Sequence, residues 1–385
     1  MTNKASAASM DTARAVRPNP ATEIRMTTLH SVRGPNFWSR RPVVCMDVTI
    51  GAYEDLSSAD VAGVTESLVA AMPGLIEHHC SVGSRGGFIA RLERGTYAPH
   101  ITEHVALELQ ILAGHDVGYG RTRGGDAKGC YTIAFEYRHE QVGMRAAALA
   151  LGIVQHAFAG MPHETRELVH SALEELHALG QTRNIPAPQH EVFCGICGSG
   201  ARAETRRDLA ARMRRTGWTD ASIVDVSPAY LLLAGLPYSR SEMAIVLDTT
   251  PDDVPLRYQD QVQAERLMGV LVDAIPPGGV LVCPSTAHAL RDYARERNVS
   301  VAVFLTGHDV ASESPASHSS DGATVFASVR ENRITIQHDG TLHDAGLRAH
   351  DVPLTAQLAA ALGEHLCRDL RRDGTPPRKC VNDNV

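Results

Sequence analysis

The chain has 385 residues, of which 43% are hydrophobic and 21% are charged. This ordinary globular balance excludes wholesale disorder, a collagen-like fibre and a small disulfide scaffold, and the length allows two or three domains of about 150 residues each. The formal net charge of −7 excludes a broadly basic nucleic-acid-binding surface, so no nucleic-acid partner is expected.

Residues 1–30 are mainly small and polar, which predicts a disordered leader without the apolar core of a secretory signal. No apolar run reaches the ~20 residues that a membrane-spanning helix needs. Eight scattered cysteines in a chain of this length favour free thiols over a disulfide framework. We therefore expect a cytoplasmic protein with no membrane partner.

The elements predicted in the first domain, residues 31–183, are mixed. Periodicity and the positions of proline and glycine place them as follows: a strand at 43–50, helical patterns at 58–72, 87–94 and 99–113, a strand at 131–137, and helices at 141–159 and 164–180. This half is expected to be an α+β domain.

A proline-containing linker at 184–188 precedes the second domain, residues 190–372. Its predicted elements alternate between strands at 191–197, 221–226, 243–248, 279–283 and 299–304 and helices at 204–216, 260–274 and 285–297, followed by a β-rich piece at 322–354 and a helix at 355–371. Strands that alternate with helices predict a parallel sheet covered on both faces. The fold class is therefore α/β, with a mixed α+β N-terminal domain followed by a parallel-sheet α/β domain.

The sharpest chemical signal is His100-Ile101-Thr102-Glu103-His104, an H-x-x-E-H motif. Residues four apart on a helix lie on one face about 6 Å apart, so His100 and His104 could bind one metal ion. Glu103 lies beside that face, where it could take a proton from a metal-bound water. Alternatively, a pattern of five residues recurs by chance, and histidine and glutamate on a helix are often only solvated.

A catalytic metal needs a third protein ligand. The segment Glu77-His78-His79 is the best supplier, because it is dense in donor groups. Glu108 follows His104 by four residues but lies about 12 Å along a straight helix from His100. It is therefore expected either as a further ligand or as a carboxylate that orients a ligand histidine.

A glycine-rich turn, Gly198-Ser199-Gly200, follows the strand predicted at 191–197 and opens a helix, which is where a phosphate-binding loop would lie. However, Ala201-Arg202-Ala203 stands where such a loop would carry lysine and a hydroxyl. ATP is therefore not expected as a cofactor. The nearby Cys194 and Cys197 form a single C-x-x-C pair, for which two buried thiols are favoured over a redox site.

A set of motifs over roughly residues 30–160 resembles the N-terminal domain of the cyanophycin synthetase family. They are RGPNFWS at 33–39, PGLIEHHCS at 73–81, GTY at 95–97, HITEHVALELQ at 100–110, GYGRTR at 118–123 and FEY at 135–137. Residues 198–205, GSGARAET, occupy the place of the phosphate loop in the Mur-ligase part of that family, whose ATP-grasp domain has no counterpart here. The second half therefore resembles a degenerate, truncated Mur-ligase-like domain.

The resemblance implies a domain that binds cyanophycin, a polymer of aspartate bearing arginine through amide bonds, and that in some members cleaves it at a metal-type site. The residues that match that site are Glu77, His78, His79, His100, Glu103, His104 and Glu108.

The leading hypothesis is a metal-dependent hydrolase of a peptide-like or amino-acid amide bond. It would carry Zn²⁺ on His100 and His104 with Glu103 as the general base. Arg85, Arg91 and Arg121 could hold a substrate carboxylate. The Mur-like half would act as a scaffold or dimerisation module, so a homo-oligomer is expected.

Two alternatives stay open. The first is a non-catalytic binding or scaffolding partner of an amino-acid ligase. The second is a ligase that uses ATP in an altered loop.

Overall fold

The computed structural model describes residues 17–80, 83–218, 221–305 and 325–372. These residues form two β-sheets, one of four strands and one of eight. Helices cover one face of the first sheet and both faces of the second. This arrangement confirms the predicted fold class.

The first sheet is wholly antiparallel, with the strand order β1-β2-β4-β3. Its strands are β1 Arg25–Val32, β2 Val43–Thr49, β3 Gly120–Gly124 and β4 Cys130–Glu136. The helices of this half are α1 Pro20–Glu23, α2 Val64–Ala71, α3 Gly87–Arg94, α4 Ala98–Leu112, α5 Glu140–Ala159 and α6 Pro162–Gly180. Short 3₁₀ helices at Gly51–Asp55 and Pro73–Glu77 complete it.

Strand alternation divides the buried residues of the first sheet between its two faces. Val44 and Met46 of β2 face the main core, into which α4 and α5 also project. Val43 and Cys45 face the other way and pack with Trp38 in a smaller cluster. The large helical core therefore holds α4 firmly against one face of the sheet.

The second sheet has the order β12-β11-β10-β9-β8-β7-β5-β6 and is parallel from β10 to β6. Its strands are β5 Glu191–Cys197, β6 Ile223–Val226, β7 Arg240–Val246, β8 Val280–Pro284, β9 Ser300–Phe304, β10 Val325–Arg330, β11 Arg333–His338 and β12 Thr341–Leu347. The helices around it are α7 Arg202–Arg215, α8 Pro228–Ala234, α9 Gln261–Asp273, α10 His288–Glu296 and α11 Leu354–Arg372, with a 3₁₀ turn at Leu256–Tyr258.

The two halves meet along residues 34–37 and around Arg257. The Leu236 N–H donates to the carbonyl of Pro35 at 2.8 Å, and Gly34 lies so close that a Cβ there would be 1.8 Å from the Leu236 carbonyl oxygen. Arg257 donates to the Thr132 hydroxyl of β4 at 3.1 Å. The domain limits 31–183 and 190–372 remain a prediction.

Most predicted elements are confirmed, but the prediction of a disordered leader is not, and two strands of the first sheet were not predicted. Residues 1–16 of the leader lie outside the described residues, whereas α1 and β1 occupy residues 20–32. The prediction of disorder over residues 17–30 is therefore wrong, because β1 pairs with β2 and buries Val32. Strands β1 and β3 were not predicted, because most of their residues are polar and Val32 alone among them is buried.

Helix α5 has the length and apolarity of a membrane span. Half of its residues are nevertheless buried inside the protein, against α4, α6 and the first sheet. A core helix of a soluble protein passes the same test, so α5 is weak support for a membrane span.

Candidate functional site

A cleft of about 860 Å³ opens beside α4, between the loop that follows Pro73–Glu77 and strand β3. Pro99 stands in the first turn of α4, where its missing N–H costs no helical hydrogen bond. Ile101, Val105 and Leu109 are fully buried and form an apolar stripe that anchors the helix, whereas Leu112 is 39% exposed and lines the cleft.

The structure brings His100 and His104 together as the motif spacing predicts. Their ring centroids are 4.9 Å apart, and Phe88 of α3 stacks on the His104 ring at 3.9 Å. Their ring nitrogens and the Cys80 sulfur all lie within 4.8 Å of one another. By distance alone, this set of donors could surround a cation.

Cys80 is the functional residue that sequence reasoning missed. Its Sγ lies 3.4 Å from Nε2 of His100, while Nδ1 of that ring lies 2.9 Å from the Thr96 hydroxyl. The sequence feature that could have identified Cys80 is its position directly after His78 and His79, in the segment predicted to supply a metal ligand.

His78 joins the cluster through hydrogen bonds. Its Nδ1 lies 2.9 Å from Nδ1 of His104, and its Nε2 lies 2.9 Å from Oε2 of Glu108. A carboxylate only accepts, so the Nε2–H of His78 donates to Glu108, and Nδ1 of His78 can then accept from the Nδ1–H of His104. The arrangement favours the tautomer of His104 with a free lone pair on Nε2, and the orienting role of Glu108 stays a prediction.

Glu77 and His79, the other two residues of the predicted ligand segment, lie outside the group formed by Cys80, His100 and His104. Glu77 is exposed and forms an ion pair with Arg85, with an Nη2–Oε1 distance of 2.6 Å. His79 lines the cleft but is exposed. Among the described residues, its ring nitrogens do not belong to the group of donors that contains His100 and His104.

The three predicted substrate-binding arginines are not equivalent. Arg121 of β3 is exposed and lines the cleft. Arg85 is held by Glu77 at the surface and does not line it, and Arg91 of α3 is exposed near His100. Only Arg121 therefore stays placed to contact a bound molecule in the cleft.

Glu103 lies against β3 rather than among the imidazoles. The Thr122 hydroxyl donates to its Oε2 at 2.6 Å, and a Cβ at Gly120 would stand 2.6 Å from its Oε1. Gly74 likewise leaves space for Glu108, since a Cβ at Gly74 would lie 2.0 Å from Oε1 of that carboxylate. Each carboxylate therefore occupies a position that a side chain at the facing glycine would block.

Burial governs the charges of the cleft. It raises the pKa of Glu103 to about 7, against the opposing effects of the Thr122 hydrogen bond and the Arg121 charge. It lowers the pKa of His100 to about 4, with a second contribution from Arg91. It lowers the pKa of His104 to about 2, with contributions from His100 and His78. Both imidazoles are therefore neutral near pH 7.

The glycine turn after β5 donates hydrogen bonds to a carboxylate of the same chain. Ser199 donates from its backbone N–H and its hydroxyl to the Asp248 carboxylate at 2.8 and 3.1 Å. The Arg202 guanidinium bonds to the carbonyls of Gly198 and Ser199. Cys194 and Cys197 are buried free thiols whose pKa values burial raises, as expected for buried thiols, and the preference over a redox pair stays a prediction.

Residues 44–159 match the protein family described as the cyanophycin synthase-like N-terminal domain. The cyanophycin synthetase of Synechocystis sp. (strain ATCC 27184 / PCC 6803 / Kazusa) is 40% identical over 152 residues, which cover 39% of this chain and 17% of that protein. The cyanophycin synthetase of Geminocystis herdmanii (strain PCC 6308) is 42% identical over 130 residues, covering 33% and 15%. The match thus spans less than a fifth of the length of these curated relatives.

Solved Mur ligases resemble the fold at low overlap. MurF from Acinetobacter baumannii matches with a TM-score of 0.32 and 13% identity, over 64% of this chain and 50% of that one. The murein peptide ligase MPL from Neisseria meningitides matches with a TM-score of 0.35 and 15% identity, over 53% and 70%. Such likenesses carry no argument about chemistry, and the class of the second half rests on its own strand order.

The relatives overturn the leading hypothesis of the sequence analysis. They are synthetases, so the prediction of a metal-dependent amide hydrolase is wrong, and the relatives give no support to Zn²⁺ as a cofactor. The expectation that ATP is not used is wrong for the same reason, because the relatives are named as synthetases. The helical spacing brings the His100 and His104 rings together, but it did not predict the reaction.

Proposed function

We propose that this chain is a non-catalytic binding partner in an amide-ligase system, and that its α4 cleft holds the peptide-like chain on which the ligase acts. The proposal starts from the match of residues 44–159 to a domain of synthetases. The observation that carries it is the cleft itself, which combines an open volume of about 860 Å³ with polar groups of different charge.

The lining of the cleft suits a chain that carries both amides and charges. Arg121 supplies a cation, Glu103 supplies a carboxyl that titrates near neutral pH, and His100 and His104 supply neutral rings. Ile111 and Leu112 add apolar surface along one side. Since pockets with a few convergent polar groups on an apolar wall are typical ligand sites, a peptide-like polymer fits better than a purely apolar molecule.

The test is binding of a fluorescently labelled cyanophycin fragment to the full chain, followed by anisotropy. We expect saturable binding that Arg121→Gln weakens about tenfold, or about 1.4 kcal/mol. Arg94→Gln is the matched control, because Arg94 is exposed at the end of α3 and does not line the cleft. Absence of binding, or equal affinity of the Arg121→Gln and Arg94→Gln proteins, would overturn the proposal.

A ligase with an altered loop is the second candidate, and the contact of Ser199 with Asp248 favours it. These residues follow β5 and β7, adjacent parallel strands at the point where the strand order reverses, a usual place for ligands in such sheets. A hydroxyl and a carboxylate are also ligands that Mg²⁺ takes. Calorimetry with Mg²⁺ and ATP tests this candidate, which predicts binding to the unmodified chain and its loss in Asp248→Ala.

The cytoplasmic location, the absence of nucleic-acid and membrane partners, and the homo-oligomeric state are kept as parts of this proposal. Sedimentation of the purified chain over a range of concentrations tests the oligomeric state.

A further inference from the structure

Three histidines from three different elements meet at the end of the second sheet, far along the chain from the α4 cleft. His338 ends β11, His343 lies on β12 and His365 lies on α11. A tight turn joins the two strands, with Asp339 and Gly340 at φ values of 47° and 78°, the left-handed conformations that two-residue hairpin turns use.

Strand register explains why the first two histidines share a face. His343 pairs with Ile336, and His338 follows Ile336 by two residues, so all three side chains leave the hairpin on the same side. Ile336 is buried in the cluster that Leu362 and Leu366 of α11 also join. The hairpin therefore presents both imidazoles to the face that α11 covers.

His365 completes the group from the helix. Its Nε2 lies 2.9 Å from Nδ1 of His338, and its ring centroid lies 4.8 Å from that of His343 and 5.1 Å from that of His338. His343 is exposed, so its ring can turn towards the other two without disturbing the core.

We propose that His338, His343 and His365 form a binding site for a divalent late-transition-metal cation such as Ni²⁺. Imidazole nitrogen is a preferred ligand for these ions. With metal–nitrogen distances of about 2.0–2.1 Å, the right angle between neighbouring donors in square-planar geometry separates them by about 2.9 Å. The His338 and His365 nitrogens already lie 2.9 Å apart, and the ion replaces the proton that they share.

One carboxylate beside the group favours a cation. Oδ2 of Asp339 lies 3.6 Å from Nε2 of His338. Glu364, next to His365, already holds the guanidinium of Arg212 at 3.3 Å. This site is separate from the cluster on α4, and a bound ion would connect α11 to the β11–β12 hairpin.

The test is titration of the metal-free full chain with Ni²⁺ alone, by calorimetry. We expect His343→Ala to weaken one class of site by at least about tenfold, since it leaves two imidazoles of three. His350→Ala is the matched control, because His350 is an exposed histidine in the same segment and outside the group. Identical titrations of the unmodified, His343→Ala and His350→Ala proteins would overturn the proposal.

A second measurement separates this site from the α4 cluster. A ligand that binds only the folded state raises the melting temperature. We expect Ni²⁺ to raise it in the unmodified chain and equally in His100→Gln, but less in His343→Ala. A Ni²⁺ effect that disappears in His100→Gln and persists in His343→Ala would place the ion on α4 and reject the site proposed here.

Discussion

The Thr122 hydroxyl of β3 donates a 2.6 Å hydrogen bond to the Glu103 carboxylate of α4. One such bond stabilises the charged carboxylate, yet burial outweighs it and raises the pKa of Glu103 to about 7. Glu103 is therefore a proton-exchanging group on the cleft wall at neutral pH, held against a strand that sequence reasoning did not identify.

Replacement of Glu103 by glutamine should change how stability depends on pH. The carboxyl titrates near 4.5 when unfolded and near 7 when folded, so the folded chain binds the proton more tightly between these values. Stability is thus lost as pH rises from about 4.5 to about 7. Urea unfolding at pH 5 and pH 8 should show that Glu103→Gln removes up to about 3 kcal/mol of this loss.

The control for this measurement is Glu66→Gln, which changes an exposed glutamate on α2. It should reproduce the pH dependence of the unmodified chain. Parallel pH profiles for the Glu103→Gln and unmodified proteins would contradict the raised pKa.

His100 should produce the opposite pH dependence. Its pKa falls from 6.5 to about 4 on folding, because burial disfavours the charged ring. The unfolded chain therefore binds more protons between these values, and stability is lost as pH falls from about 6.5 to about 4. His100→Gln should reduce the loss of unfolding free energy between pH 7 and pH 4 by about 2–3 kcal/mol.

His79→Gln provides the comparison for His100, since His79 lies in the same cleft but is exposed. We expect it to leave the acid limb of the stability profile unchanged. Equal acid sensitivity of the unmodified, His79→Gln and His100→Gln proteins would show that His100 is not a buried neutral ring.

Gly120→Ala should damage the cleft because its Cβ would stand 2.6 Å from Oε1 and 2.7 Å from Cγ of Glu103. Either β3 or the carboxylate must shift, at a cost of about 1–3 kcal/mol. Gly118→Ala is a close control, because nothing lies within 4 Å of a Cβ there. Thermal unfolding and polymer binding of both variants check the prediction, which fails if the two behave alike.

Arg212→Met should destabilise the second half, where the Arg212 guanidinium on α7 bonds to Asp208 and to Glu364 of α11. The Arg212 and Glu364 side chains are only 10% and 12% exposed, so loss of the cation should cost about 3–5 kcal/mol. Arg207→Met, on the exposed face of the same helix, should cost about 1 kcal/mol or less. Similar unfolding midpoints for the two variants would reject this assignment.

Elements with a strong local pattern were predictable from the sequence. The proline start and the apolar stripe predicted α4, and alternating strands and helices predicted the parallel part of the second sheet. By contrast, β1 and β3 are polar edge strands of the first sheet, and they are defined by their pairing with β2 and β4 rather than by an apolar pattern of their own. Local periodicity carries no signal for such strands.

The sequence by itself determined that His100 and His104 share one helical face, because that spacing is a property of the α-helix alone. Only the tertiary structure decided which groups meet them. It brings Cys80 beside His100 and places His78 between His104 and Glu108, while Glu77 pairs with Arg85 at the surface. The physical reason is that contacts between segments depend on the packing of α3, α4 and the first sheet, which residue spacing within one segment does not specify.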